Sequence, residues 1–87
     1  MHDITVSEFA EIGDNCTIFH QVTIGVNERR STKKAPRIGD NVYIGVGAKI
    51  IGDIVVGNNC IIGANAVVTK NVPDNMIVTE CNKMRRI

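Results

Sequence analysis

Aromatic side chains are scarce in this chain of 87 residues: Phe9, Phe19 and Tyr43 are the whole set, and there is no tryptophan. Proteins that hold single-stranded nucleic acid stack its bases on aromatic rings, so three scattered rings speak against a nucleic-acid partner. No apolar run is long enough to span a bilayer, and the first residues lack the pattern of a secretory leader. No membrane association and a cytoplasmic location are therefore expected. The three cysteines, Cys16, Cys60 and Cys81, match no zinc-ligand spacing, and no metal is expected. Neither the 3.6-residue period of an amphipathic helix nor the plain alternation of a long strand is present. No glycine opens a helix as a phosphate-binding P-loop requires.

What the chain does have is a six-residue repeat. Val6, Ile12, Ile18 and Ile24, then Ile38, Ile44, Ile50, Val56, Ile62 and Val68, are spaced six apart on either side of one interruption. In a chain that is 44% hydrophobic, ten apolar residues at ten such places would arise by chance roughly three times in ten thousand. A second apolar column precedes each next lead residue by two: Ala10, Cys16, Val22, Val42, Ala48, Ile54, Cys60 and Ala66. Hexads of this kind are short strands joined by tight corners, three to a coil, so the fold expected is all-β, a parallel β-helix of about three to four coils. The β-branched leads suit extended, inward-facing sites. Gly at 39, 45, 57 and 63 and Asn at 15, 41, 59 and 65 are expected to turn the corners with positive φ. Cys16 and Cys60, being in the inward column, read as buried small side chains.

The repeat is interrupted between Ile24 and Ile38, which are fourteen apart, so eight residues are inserted. Repeat proteins place such insertions in a loop on one face. This loop, about 26–37, carries Arg29, Arg30, Lys33, Lys34 and Arg37 against Glu28. Lys83, Arg85 and Arg86 concentrate positive charge a second time, in a chain whose overall net charge is only +1. The loop cations read either as a solvated face or as a phosphate-recognition surface. The β-helix domain is expected over 1–76 and a C-terminal tail over 77–87. So thin a core with two open ends calls for self-association.

The segments IGDNCTIFHQVTIG and APRIGDNVYIGVGAKIIGDIVVGNNCIIGANAVVTKNVPDN, with the loop between them, resemble the hexapeptide-repeat acyltransferases, in the serine and polysaccharide O-acetyltransferase group. The resemblance covers about residues 12–75. It implies a single-stranded left-handed β-helix, a homotrimer, and acetyl-CoA as co-substrate in a groove between neighbouring subunits. Left-handedness comes from the resemblance alone, since the general crossover rule favours the right-handed form. The activity implied is transfer of acetyl from acetyl-CoA to a hydroxyl of a small molecule or a saccharide. The alternative is an inactive or truncated β-helix subunit with a structural or binding role.

Site residues follow from the same resemblance and from the repeat. His2 and His20 occupy the outward third place of their hexads and are the candidate catalytic bases. Val46 and Ala64, with Gly45 and Gly63, match places whose backbone contacts the pantetheine arm, and Lys33 and Lys34 are candidates for the phosphates. The family's catalytic His falls immediately before Met1, and its second active-site His and neighbouring Arg fall on Ala35 and Lys34.

Overall fold

Strands of two to four residues, joined by corners, build a prism with three flat faces. The computed structural model describes residues 4–26 and 34–87. One face is the sheet β1 (Thr5–Val6), β4 (Thr23–Gly25), β7 (Lys49–Ile51) and β10 (Val67–Val68). The second is β2 (Glu11–Ile12), β5 (Arg37–Ile38) and β8 (Val55–Val56). The third is β3 (Thr17–Ile18), β6 (Tyr43–Ile44), β9 (Ile61–Ile62), β11 (Met76–Thr79) and β12 (Lys83–Arg86). Among the described residues all strand pairs are parallel except the last, β11 with β12.

The register matches the hexad arithmetic. Thr5 pairs with Thr23 and Lys49 with Val67, one coil of eighteen residues, whereas Glu11 pairs with Arg37 and Thr17 with Tyr43, eighteen plus the eight inserted. The insertion thus adds length to one corner without displacing any ladder.

Lead and second-column residues meet along the prism axis, where Val22, Ile24, Val42, Ile44, Ala48, Ile50, Val56, Cys60, Ile62, Ala66 and Val68 are buried. The first coil differs. Val6 is 40% and Ile12 37% exposed, because no described strand stacks beneath them.

Two details depart from the sequence expectation. Positive φ is concentrated in the fourth place of the hexads, at Asn15, Gln21, Asn41, Gly47, Asn59 and Asn65, while the second-place glycines do not adopt it. Gly13, Gly39, Gly45 and Gly57 are needed for clearance instead. A Cβ on Gly45 would stand 2.8 Å from the Ala64 backbone nitrogen, and one on Gly57 2.6 Å from that of Asp74. The repeat also continues past Val68. Val72 bridges to Val56 and Val78 pairs with Ile62, both sixteen residues on rather than eighteen, so the last coil is two residues short. The Asn71 side-chain oxygen bridges the shortened corner by accepting the Val55 N–H at 2.9 Å. The place expected for the start of a tail, residue 77, therefore lies inside β11, and β12 folds back along it.

Candidate functional site

The three edges of the prism differ in chemistry. Along the edge after β2, β5 and β8, third-place Asp40, Asn58 and Asp74 each turn a side-chain oxygen back one coil. Asp40 accepts the Asp14 N–H at 2.8 Å, Asn58 the Asp40 N–H at 2.7 Å and Asp74 the Asn58 N–H at 2.7 Å. These oxygens occupy the space beside Gly13, Gly39 and Gly57 that a Cβ would need. This edge is structural, and its acceptors satisfy backbone donors that the ladder leaves over. Behind it Cys16 donates to the Gly39 carbonyl and Cys60 to that of Pro73, each at 3.1 Å. Burial pushes the Cys60 thiol up, which keeps it protonated and unreactive.

The edge after β3, β6 and β9 carries the exposed histidine. His20 offers its carbonyl to Gly47 N–H at 3.1 Å, and Val46 offers its own to Asn65 N–H at 2.8 Å. His20, Val46 and Ala64 are therefore successive rungs of one outward ladder. The His20 imidazole is exposed and has no hydrogen-bond partner among the described residues. Above it Gly45 is buried, Gly63 and Val46 are half-buried, and Ala64 is exposed. Side chains this small leave an open strip along the axis on which an extended chain can lie. Phe19, just after β3, and Tyr43, at the start of β6, lie beside the strip with ring centroids 5.1 Å apart.

The third edge lies where the inserted loop returns. Lys34 Nζ stands 4.0 Å from Asp53 Oδ2, both side chains well exposed. Such a pair adds little stability in water. With Phe9, Glu11, Ala35 and Arg37 they line a cavity of about 340 Å³ in which two carboxylates face two cations. Among the described residues no group of three or more His, Cys, Asp or Glu is arranged to hold a metal ion. No helix of the described structure is long and apolar enough to cross a membrane.

The structure thus brings His20, Gly45, Val46, Gly63 and Ala64 together on one edge and puts Lys34 on another. His2 and Lys33 lie outside the described residues. The sequence reading missed the mixed-charge cavity, although the Glu11–Arg37 pairing follows from counting eighteen plus eight. It also missed the surroundings of Lys83 and Arg85, because a coil shortened by two residues hides Val78 from a strict hexad count.

Comparison with known proteins agrees with this geometry. Residues 35–70 match the bacterial transferase hexapeptide family (six repeats). Serine acetyltransferase of Mycobacterium tuberculosis is 47% identical over 75 residues, 86% of this chain and 33% of that protein. The crystal structure of serine acetyltransferase from Brucella abortus superposes with a TM-score of 0.85 at 42% identity, over 95% of this chain and 33% of that one. The same enzyme in complex with coenzyme A gives 0.82 at 38% identity, over 95% of this chain and 35% of that one. The chain spans about a third of the length of the curated relatives it matches. Its repeat, corner chemistry and superposition agree: the chain is a left-handed parallel β-helix that carries the bacterial transferase hexapeptide repeat and is similar over most of its length to the β-helix of serine acetyltransferases.

Proposed function

We propose that this chain is the CoA-binding β-helix of an O-acetyltransferase that moves acetyl from acetyl-CoA to the hydroxyl of serine. The observation that carries the reading is the identity of 47% with a serine acetyltransferase along 86% of the chain. The open strip of Gly45, Val46, Gly63 and Ala64 supports it, because a pantetheine arm can lie there against backbone. The relatives support serine as the hydroxyl acceptor, and they lend no support to a saccharide or to an inactive subunit.

Acetyl-CoA would supply an activated thioester. A serine hydroxyl is a poor nucleophile at neutral pH, so a neutral imidazole beside the strip must take its proton as it attacks. His20 is the described residue in that place. The ester C–O bond forms as the C–S bond breaks, and the proton passes from the hydroxyl to the imidazole and on to the leaving thiolate. Lys34, an edge away from the Val46 ladder of its own chain, joins the site only if the loop edge of one copy faces the histidine edge of the next. A homotrimer provides that arrangement at three equivalent grooves. A cytoplasmic location suits the co-substrate.

The test is thiol release from acetyl-CoA with serine as acceptor, together with calorimetric CoA binding. His20→Ala should lower turnover about 100-fold or more while CoA affinity stays close to wild type, as for a positioned general base. Ala64→Trp should abolish CoA binding without unfolding the protein, since Ala64 points outward. An active preparation that keeps its turnover without His20 would remove it from the role of base, and unchanged affinity in Ala64→Trp would remove the strip as the cofactor site.

A further inference from the structure

The two ends of the prism are unlike. The carbonyls of lead residues accept N–H groups from the coil below, as Ser7 donates to Ile24 at 2.7 Å, Gly13 to Ile38 at 2.9 Å and Phe19 to Ile44 at 3.1 Å. Beneath the leads of the first coil, Val6, Ile12 and Ile18, there is no described strand, and their own N–H and C=O groups have no partner among the described residues. The row of third-place oxygens ends there too. Asp40, Asn58 and Asp74 each accept an N–H from the coil below, whereas the Asp14 carboxylate has no donor among the described residues. At the other end the last corners close on themselves. Val67 donates to the Glu80 carbonyl at 2.6 Å and accepts the Asn82 N–H at 2.8 Å, and the Thr69 N–H reaches the Asn82 side-chain oxygen at 2.8 Å. The outer side of β12 stays open: since Ile87 donates to Asn75, alternation turns the main-chain groups of Met84 and Arg86 away from β11. Charge divides in the same way. Residues 4–26 hold Glu8, Glu11 and Asp14 without a Lys or Arg, whereas residues 69–87 hold Lys70, Lys83, Arg85 and Arg86 against Asp74 and Glu80.

We infer that copies of this chain stack head to tail, the acidic first coil of one seated on the basic C-terminal hairpin of the next. The third sheet ends at β3 on one side and β12 on the other, and both are open edges. Open edges of this kind template pairing with another chain. Because β12 runs against the other strands of its sheet, β3 of the next copy meets it as an antiparallel partner, with the Ile18 main chain facing that of Met84 and Arg86. The corner before β3 then brings Asp14 to the Arg86 end of β12, which lies opposite Met76 beside the Asp74 corner. Glu8 stands over Lys70, since the corners after β1 and β10 share one edge. Val6 and Ile12, 40% and 37% exposed, are covered at the same junction. Head-to-head contact would instead set Glu8, Glu11 and Asp14 of two copies against one another, which like charges oppose. A head-to-tail contact does not close on itself and builds a column. Each junction is small and weak, so columns grow as concentration rises, beyond the mass read at dilution. A trimer whose prisms run parallel makes three junctions at once. None of this depends on CoA binding.

Sedimentation of the 87-residue protein tests this over the range of weak association, from about 10 μM to about 1 mM. The weight-average mass should climb with concentration in multiples of the mass found at dilution. Raising the salt from about 0.05 M to about 0.5 M should flatten the climb, because exposed charges are screened. Two double variants reverse one end each: Glu8→Lys with Asp14→Lys, and Lys70→Glu with Arg86→Glu. Neither should stack alone, an equal mixture of the two should stack again, and both should keep the wild-type heat-unfolding midpoint, since all four side chains are exposed. Hydrogen exchange gives a second reading at the strand junction, where the Ile18 and Met84 N–H groups should be protected at high concentration and not at low. A mass that stays constant up to about 1 mM overturns the inference. Stacking that survives the reversal of Lys70 and Arg86 overturns it as well, because the acidic ends would then be meeting something other than the hairpin. So does a climb in mass without protection of Ile18 and Met84, which would place the contact elsewhere on the surface.

Discussion

Gly39 and Asn65 are both corner residues, and they are there for different reasons. Asn65 has φ +60°, a conformation that costs most side chains about 1–2 kcal/mol but suits asparagine. Gly39 has no such φ. A Cβ there would collide with the Asn58 side-chain oxygen and stand 3.0 Å from its backbone nitrogen. Gly39→Ala should therefore cost about 1–3 kcal/mol by overpacking. Among the described residues a Cβ on Gly25 meets only the Ile51 Cδ1, at 3.9 Å, and Gly25→Ala should cost far less. Chemical unfolding of the two variants checks the contrast, and equal losses would show that clearance between coils is not what selects glycine.

Cys60 allows a second test at this scale. Its thiol is raised by burial above the ordinary 9.0, so between the unfolded and folded values the unfolded chain loses a proton that the folded chain keeps. The contribution is fully present below about pH 9 and declines as the pH rises above it. Cys60→Val, which copies Val42 in the same column, should flatten that decline. The free thiols should also differ in rate, with exposed Cys81 alkylated first and Cys60 only on unfolding. Fast alkylation of Cys60 in the native protein would contradict its burial.

At the scale of elements, strands of two residues have almost no stability alone and rely on the coil above and the coil below. Ile62 has both neighbours, β6 and β11, and is fully buried, whereas Ile12 pairs on one side only and remains 37% exposed. Ile62→Ala should cost about 2–5 kcal/mol. Ile12→Ala should cost clearly less, and urea midpoints that fall equally would mean that something covers the first coil in solution. The corner between Val68 and Val72 shows the same dependence. Four residues span it instead of six, and the coil still closes because Asn71 lends an oxygen to Val55. A hexad count ends at Val68 for that reason, although the hydrophobic column runs on to Val72 and Val78.

The described part of the molecule is a prism whose described candidate residues stand on two edges. The face of β3, β6, β9 and β11 turns Phe19, Tyr43 and Ile61 to solvent, all more than a third exposed, with Ile77 above them. A contiguous apolar strip on so small a protein marks an association surface. Light scattering should give three times the 9.5 kDa chain mass, and Ile61→Lys should dissociate the assembly and weaken CoA binding together. A stable monomer that still binds CoA would separate the groove from the trimer.

From the sequence alone came the hexads, the inward columns, the eight-residue insertion and hence the register of every ladder from Glu11–Arg37 to Ile44–Ile62. These are legible because a corner repeats every six residues whatever the neighbouring coil contains. The histidine ladder was legible for the same reason, since His20, Val46 and Ala64 are separated by one coil plus the insertion and one coil. Only the tertiary structure decided why Gly39 and Gly57 must lack a side chain, since the atoms that exclude it belong to Asn58 and Asp74, one coil away. It likewise carried Val78 and the Lys83–Arg85 face onto the stack after a shortened corner, and it put Lys34 on a different edge from Ala64. In each case the deciding contact is made along the axis, between residues sixteen or more apart, and a six-residue period holds no record of which side chains meet there.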